Sequence, residues 1–174
     1  MDSYGEELIA FWRALQKEQV EYILIGGYAI IFNGYHRSTG DLDIWLKDTL
    51  ENRRRLRQAI RDCGMPDYPM IETMQFVPGW TIFHLNNALE LDIRTTAMKG
   101  LEAFSFKECL EKASVAQIDG VNIPFLHSSQ LLANKKAVNR DKDQADIEAL
   151  EDIEQQRKQD EGIKNDPEPP FYSR

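Results

Sequence analysis

The chain has 174 residues, 42% of them hydrophobic, enough to bury one core, and no apolar run reaches the length of a membrane span. Its formal net charge of −8 argues against a protein that coats nucleic acid, but the acidity is uneven: residues 141–174 carry eleven acidic and five basic side chains, leaving eighteen against sixteen for residues 1–140. Cys63 and Cys109 lack metal or redox spacing and Met1-Asp2-Ser3 opens no secretory leader, so the expectation is a soluble, cytoplasmic protein.

The first predicted element is a helix opened by a capping box, Ser3 with Glu6, whose core stripe is Leu8, Phe11, Trp12 and Leu15. The segment 22–46 follows, YILIGGYAIIFNGYHRSTGDLDIWL. Its apolar run 22–25 reads as a buried strand, Gly26-Gly27 as a tight turn with unblocked N–H groups, and 28–32 as a short helix. After the Asn33-Gly34 break, 41–46 reads as a second strand. Asp48, with Glu51 three residues on, is placed to cap a helix bearing Arg53, Arg54, Arg55, Arg57 and Arg61. These arginines pair with the acidic tail or face water more readily than they line an RNA groove.

A Pro-punctuated stretch, 65–78, precedes a hairpin of strands 80–85 and 88–93 turning at Asn86-Asn87. A helix over 101–112 and a second hairpin, 114–118 and 121–126 around Asp119-Gly120, come next. Ser128 or Ser129 caps the helix that carries Lys135. That helix either continues, putting Lys135, Lys142 and Asp146 on one stripe, or breaks at Arg140-Asp141 with Asp141 as a new N-cap. From Glu154 the chain is charged and poor in apolar residues, so residues 1–153 form the folded domain and 154–174 a flexible tail. Periodicity alone supports an α+β or α/β fold with a mixed sheet.

The chemistry concentrates on one strand face. Residues two apart in a strand point the same way, so Asp41 and Asp43 share a face while Leu42 and Ile44 share the other. Two adjacent carboxylates repel, and a hard cation such as Mg²⁺ relieves that repulsion. Asp92, with Glu90 on its face, sits on a later strand; Glu90 reads as a solvated neighbour. His36, beside Arg37, reads as a surface-loop residue.

Gly26-Gly27, thirteen residues, then Asp41-x-Asp43 resembles the hG[GS]…Dx[DE] signature of the polymerase-β-type nucleotidyltransferase superfamily. Arg37-x-Thr39-x-Asp41-x-Asp43 resembles its branch of abortive-infection AbiE-type toxins and small uncharacterised bacterial nucleotidyltransferases. Leu131, Leu132, Lys135, Ala137, Arg140, Lys142, Asp143 and Asp146 match that branch's downstream pattern, LIxxKxAxxRxKDxxD. The resemblance implies a nucleotidyltransferase fold, a mixed β-sheet flanked by helices with a C-terminal helical appendage. It implies transfer of a nucleoside monophosphate from an NTP to an acceptor hydroxyl.

Asp41, Asp43 and, as the family's third carboxylate, Asp92 are then the metal ligands for two Mg²⁺ ions, with Mn²⁺ as a substitute. Gly26 and Gly27 hold the triphosphate, supported by Arg37 and Thr39. Alternatively Arg37 orients Asp43 and Thr39 caps the turn. Lys135 reaches the triphosphate, while Asp143 and Asp146 hold basic groups in place. Three acceptor readings follow. The first is RNA or a protein, in an enzyme related to toxin–antitoxin systems and partnered by a cognate antitoxin or toxin. The second is a lincosamide or aminoglycoside antibiotic, and the third is no acceptor at all, in a non-catalytic nucleotide-binding antitoxin-like partner.

Overall fold

The computed structural model describes residues 3–85 and 89–165, with side chains over 5–85 and 89–162. Its order is α1 (Ser3–Lys17), β1 (Tyr22–Ile25), α2 (Gly26–Phe32), β2 (Asp41–Leu46), α3 (Leu50–Asp62), β3 (Ile82–His84), β4 (Glu90–Arg94), α4 (Phe106–Lys112), β5 (Ser114–Ile118), β6 (Val121–Phe125), α5 (Ser128–Val138) and α6 (Gln144–Asn165). The six strands form one mixed sheet in the order β3-β4-β2-β1-β6-β5. β2 with β4 and β1 with β6 run parallel, and the other pairs antiparallel.

Every residue of β1 is buried, as its unbroken apolar run requires at the centre of a covered sheet. In α1 the stripe of Leu8, Phe11, Trp12 and Leu15 is buried as its spacing predicts, and α1 packs against α3 and β6. The Ser3 to Glu6 capping box lies partly outside the described side chains. Asn52, buried in α3, accepts from Glu21 N at 2.8 Å and donates to Glu21 O at 2.8 Å and Lys47 O at 2.9 Å. This one amide ties the entry of β1 and the exit of β2 to the helix.

Local signals were displaced in several places. Thr49, not Asp48, caps α3, its hydroxyl accepting from Asn52 N at 3.2 Å, while Asp48 pairs with Arg53 at 2.6 Å. His127 caps α5, its Nδ1 accepting from Ser129 N, where a serine was expected. α4 starts only at Phe106, because Ser105 and Glu108 form a complete capping box there. Trp80 and Thr81 lie in a turn before β3, and the Asn86-Asn87 turn falls outside the described residues. In the second hairpin both Asp119 and Gly120 have positive φ, 48° and 76°, as a two-residue turn of this kind demands.

The chain leaves α5 at Asn139, in the left-handed conformation at φ 52°, and makes a short 3₁₀ turn over Asp141–Asp143 before α6. A continuous stripe through Lys135, Lys142 and Asp146 is therefore not formed. The break falls where Arg140-Asp141 allowed one, but Arg140 and not Asp141 takes the N-cap position of the 3₁₀ turn, with no side-chain cap bond. α6 runs to Asn165, through the 153/154 boundary expected from composition. Beyond Glu154 it stays attached through Arg157, which contacts His127 Nε2 at 2.5 Å and donates to Asn33 Oδ1 at 3.2 Å.

The arginine-rich helix is occupied locally. Arg53 also donates to Met74 O at 2.7 Å and stacks on Phe76, Arg54 pairs with Glu72, Arg55 with Glu51, and Arg57 with Asp67 and Glu72. Among the described residues their partners are Asp48, Gln19 O, Glu51 on the helix itself and the 67–76 segment. None of these arginines lines the cleft described next.

Candidate active site

A row of four register partners crosses the sheet: Ile82 on β3, Asp92 on β4, Asp43 on β2 and Ile25 on β1. Directly opposed residues project to the same face, so Asp92 and Asp43 stand side by side there. Asp41 shares that face two residues before Asp43. Leu42, Ile44 and Leu46 fill the other face and are fully buried, which fixes the register. A one-residue slip would bury the carboxylates.

This face opens into a cleft of about 510 Å³ lined by Gly26, Gly27, Thr39, Asp41, Asp43 and Asp92, with Arg37, Lys135, Arg140 and Asp143 from the flanking elements. The expected metal ligands Asp41, Asp43 and Asp92 and the expected triphosphate contacts Gly26, Gly27, Arg37, Thr39 and Lys135 therefore border one space. Pro78, Gly79, Arg94 and Met98 line it as well, none of them flagged by sequence motifs.

The two glycines are needed because side chains fill the places their Cβ atoms would take. At Gly26, with φ +65°, a Cβ would lie 2.0 Å from Asp43 Oδ2; at Gly27 it would lie 2.4 Å from Thr39 Oγ1. Thr39 Oγ1 in turn donates to Asp41 Oδ1 at 3.1 Å. The turn thus seats the carboxylates as well as exposing its own backbone.

Burial, then the charges of Asp41 and Asp92, push the Asp43 carboxyl up to about 7. Burial also raises Asp92, against the opposing pull of the Gly79 N–H, which donates to Asp92 Oδ2 at 2.6 Å. Asp92 Oδ1 is buried without a hydrogen-bond partner. Crowded carboxylates and an orphaned buried oxygen are what a hard cation would relieve. Among the described residues no three His, Cys, Asp or Glu side chains form a ready metal cage. The donors present fit Mg²⁺ or Mn²⁺ taken up with substrate phosphates, which commonly complete such a shell.

Lys135 is buried opposite the carboxylates, its Nζ 2.6 Å from Asp143 Oδ1 and 2.9 Å from Asp146 Oδ2. Arg140 pairs with Asp143 at 2.6 Å and Arg37 with Asp146 at 2.6 Å. Burial alone would raise Asp143, yet the hydrogen bonds from Arg140 and Lys135 prevail and hold it at about 2. Asp143 and Asp146 do hold basic groups in place. Arg37 orients toward Asp146, and no contact with Asp43 forms.

Two solved structures share this architecture at a sequence identity that carries the fold alone. The crystal structure of the lincosamide antibiotic adenylyltransferase LnuA, lincomycin-bound, superposes with a TM-score of 0.56 and 17% identity, covering 85% of this chain and 96% of that one. The chain has a nucleotidyltransferase fold. The solution structure of the antibiotic-resistance factor ANT(2'')-Ia gives a TM-score of 0.53 and 15% identity over 94% and 96% of the two chains. No family model and no curated protein matches the sequence. Among the described residues no helix is long and apolar enough to cross a membrane.

Proposed function

We propose that this protein is a metal-dependent nucleotidyltransferase that moves a nucleoside monophosphate from an NTP to an acceptor hydroxyl. The observation that carries the reading is the single cleft in which Asp41, Asp43 and Asp92 face Lys135 across the Gly26-Gly27 turn. Anionic groups on one wall and a buried cation on the other suit a metal-bound triphosphate.

The acceptor oxygen attacks the α-phosphorus, and the bond to the α,β-bridging oxygen breaks so that pyrophosphate leaves. The acceptor proton goes to Asp92, whose Oδ1 is unpartnered while Oδ2 is fixed by Gly79 N–H. Lys135 has three N–H donors and spends two on Asp143 and Asp146, leaving one for a phosphate oxygen. Arg37 and Arg140 hold those two aspartates and add positive charge. Asp41, Asp43 and Asp92 would hold Mg²⁺ or Mn²⁺, which when bound shields the triphosphate and lowers the pKa of the acceptor hydroxyl.

The toxin-like branch, with RNA or protein as acceptor and a cognate antitoxin or toxin as partner, follows from the Arg37 to Asp43 and Lys135 to Asp146 patterns. A second reading, transfer to an antibiotic, is favoured by the likeness to LnuA and ANT(2'')-Ia. Incubation with each α-phosphate-labelled NTP and total RNA, lysate protein or lincomycin separates them. Metal-dependent labelling of one fraction, abolished by EDTA, supports transfer; no labelled product from any acceptor with any NTP would refute it.

A further inference from the structure

The face of α5 that borders the cleft changes chemistry along its length. Leu131, Asn134, Lys135 and Val138, spaced i, i+3, i+4 and i+7 and hence on one stripe, all line the cleft. Beyond Val138 the lining continues with Arg140 and Lys142, so positive charge gathers with Lys135 toward the helix C-terminus. Toward the N-terminus the stripe offers only an aliphatic side chain, Leu131, and an amide, Asn134. Cations at one end and neutral surface at the other match the two ends of a nucleoside triphosphate.

The neutral end is built by a loop that no sequence motif marks. Gly100, at φ +84°, lies so close to α5 that an added Cβ would stand 2.7 Å from Ala133 O and 2.9 Å from Ala137 Cβ. The loop is closed by Leu101 N, which donates to Met98 O at 2.9 Å, and by Gly100 N, which donates to Glu102 Oε2 at 2.8 Å. Met98, 6% exposed, is thereby set into the cleft lining beside α5, where Leu131 is 1% exposed.

The same loop fixes the amide of Asn134, whose Nδ2 donates to Lys99 O at 2.9 Å. A backbone carbonyl only accepts, so the nitrogen is the atom that faces Lys99 and Oδ1 turns away from it. Oδ1 receives no hydrogen bond among the described residues. Asn134 thus offers the cleft an oriented acceptor and no donor.

Resting on the transferase reading above, we propose that Met98, Leu131 and Asn134 form the nucleobase subsite, and that Asn134 selects an NTP whose base carries an exocyclic amino group, adenine or cytosine. The ring lies against Met98 and Leu131 while the triphosphate reaches Lys135, and the amino group donates to Asn134 Oδ1. Guanine and uracil place a carbonyl oxygen at the corresponding ring position, and two acceptors brought together leave both unpaired. Gly100 is a positioning residue, holding the loop against the helix.

The test uses the full chain with Mg²⁺ and no acceptor, and measures by calorimetry the affinities of ATP, CTP, GTP, UTP and inorganic tripolyphosphate. ATP or CTP is expected to bind about 10-fold more tightly than GTP and UTP, the scale of one made against one broken hydrogen bond, and their own ratio shows which ring size fits. Asn134→Ala is expected to level the four NTPs and leave tripolyphosphate unchanged. Met98→Ala should weaken all four about 3- to 10-fold without changing their order, by loss of apolar contact. Gly100→Ala, which lifts the loop with Asn134 intact, should weaken every NTP but not tripolyphosphate. Melting temperature checks that each variant folds.

Equal affinities for the four NTPs, or an amino preference that survives Asn134→Ala, overturns the selection. NTPs that bind no more tightly than tripolyphosphate overturn the subsite altogether. Labelled product formed from all four NTPs with equal kcat/KM refutes the selection and leaves the transferase reading intact. An amino preference lost in Asn134→Ala, but with no labelled product from any acceptor, upholds the subsite and refutes the transferase.

Discussion

Asp43 and Asp92 are direct register partners on the parallel strands β2 and β4, so two carboxylates 49 positions apart in the chain stand side by side on one sheet face. That pairing, more than the Asp41-x-Asp43 spacing, sets the electrostatics of the cleft. Asp43 has a neighbouring carboxylate on its own strand and another across the ladder, and it is partly shielded from water.

The first consequence is a pH dependence of the metal-free protein. Asp43 holds its proton to about pH 7 when folded, against an ordinary 3.8. An acid with a raised folded pKa contributes stability below the unfolded value and loses it as pH rises through the folded one. Between about pH 4 and pH 7, Asp43 should therefore cost the EDTA-treated protein a few kcal/mol, at about 1.4 kcal/mol per pKa unit. Urea titrations across that window should show a downward slope that Asp43→Asn makes markedly shallower, the raised Asp92 carboxyl supplying the remainder. Parallel slopes for the two proteins would mean the carboxyl titrates normally.

A second prediction concerns the glycine turn. Gly26→Ala places a methyl against Asp43 Oδ2 at a positive φ, whereas Gly64, at φ +76°, has nothing within 4 Å. Gly64→Ala should cost only the strain of a left-handed backbone, about 1–2 kcal/mol. Gly26→Ala should cost more and also abolish nucleotide transfer, because Asp43 must move. Thermal melts with activity assays compare the two, and similar behaviour would remove the turn's role in seating Asp43.

Lys135 should be both a structural and a phosphate-binding group. Lys135→Ala leaves Asp143 and Asp146 buried with one fewer partner and is expected to destabilise by about 3–5 kcal/mol. Lys136→Ala breaks only an exposed pair with Glu151 and should cost less than about 1 kcal/mol. Adding Asp143→Asn to Lys135→Ala should restore part of the stability but none of the NTP affinity. Recovery of both by the double variant would assign Lys135 a purely structural role.

The C-terminal helix should divide at Arg157. Deleting residues 161–174 should leave the melting temperature nearly unchanged, because residues 158–162 are exposed. Deleting 154–174 removes the Glu154 bond to Ser128 and the Arg157 contacts to His127 and Asn33, and should lower it by several degrees. Equal melting temperatures for the two truncations would show that these contacts carry no stability.

The carboxylate face was legible in the sequence because strand alternation is local and the Gly-Gly to Asp-x-Asp order is fixed by a short chain path. Lys135 was legible only through resemblance, since its partners Asp143 and Asp146 reach it across a break at Asn139 that no periodicity marks. Caps were misplaced by one or a few residues. Thr49 and Asp48 both can cap, and Arg53 decides between them by drawing Asp48 away.

The most direct test of the account follows the two ends of the triphosphate separately. Purified protein, Mg²⁺ and an RNA acceptor are incubated with α-labelled or γ-labelled NTP, alongside Asp43→Asn. The account predicts α-label in the RNA and γ-label in free pyrophosphate, with both lost in Asp43→Asn and in EDTA. Appearance of γ-label in the acceptor, or α-label transfer undiminished in Asp43→Asn, would contradict it.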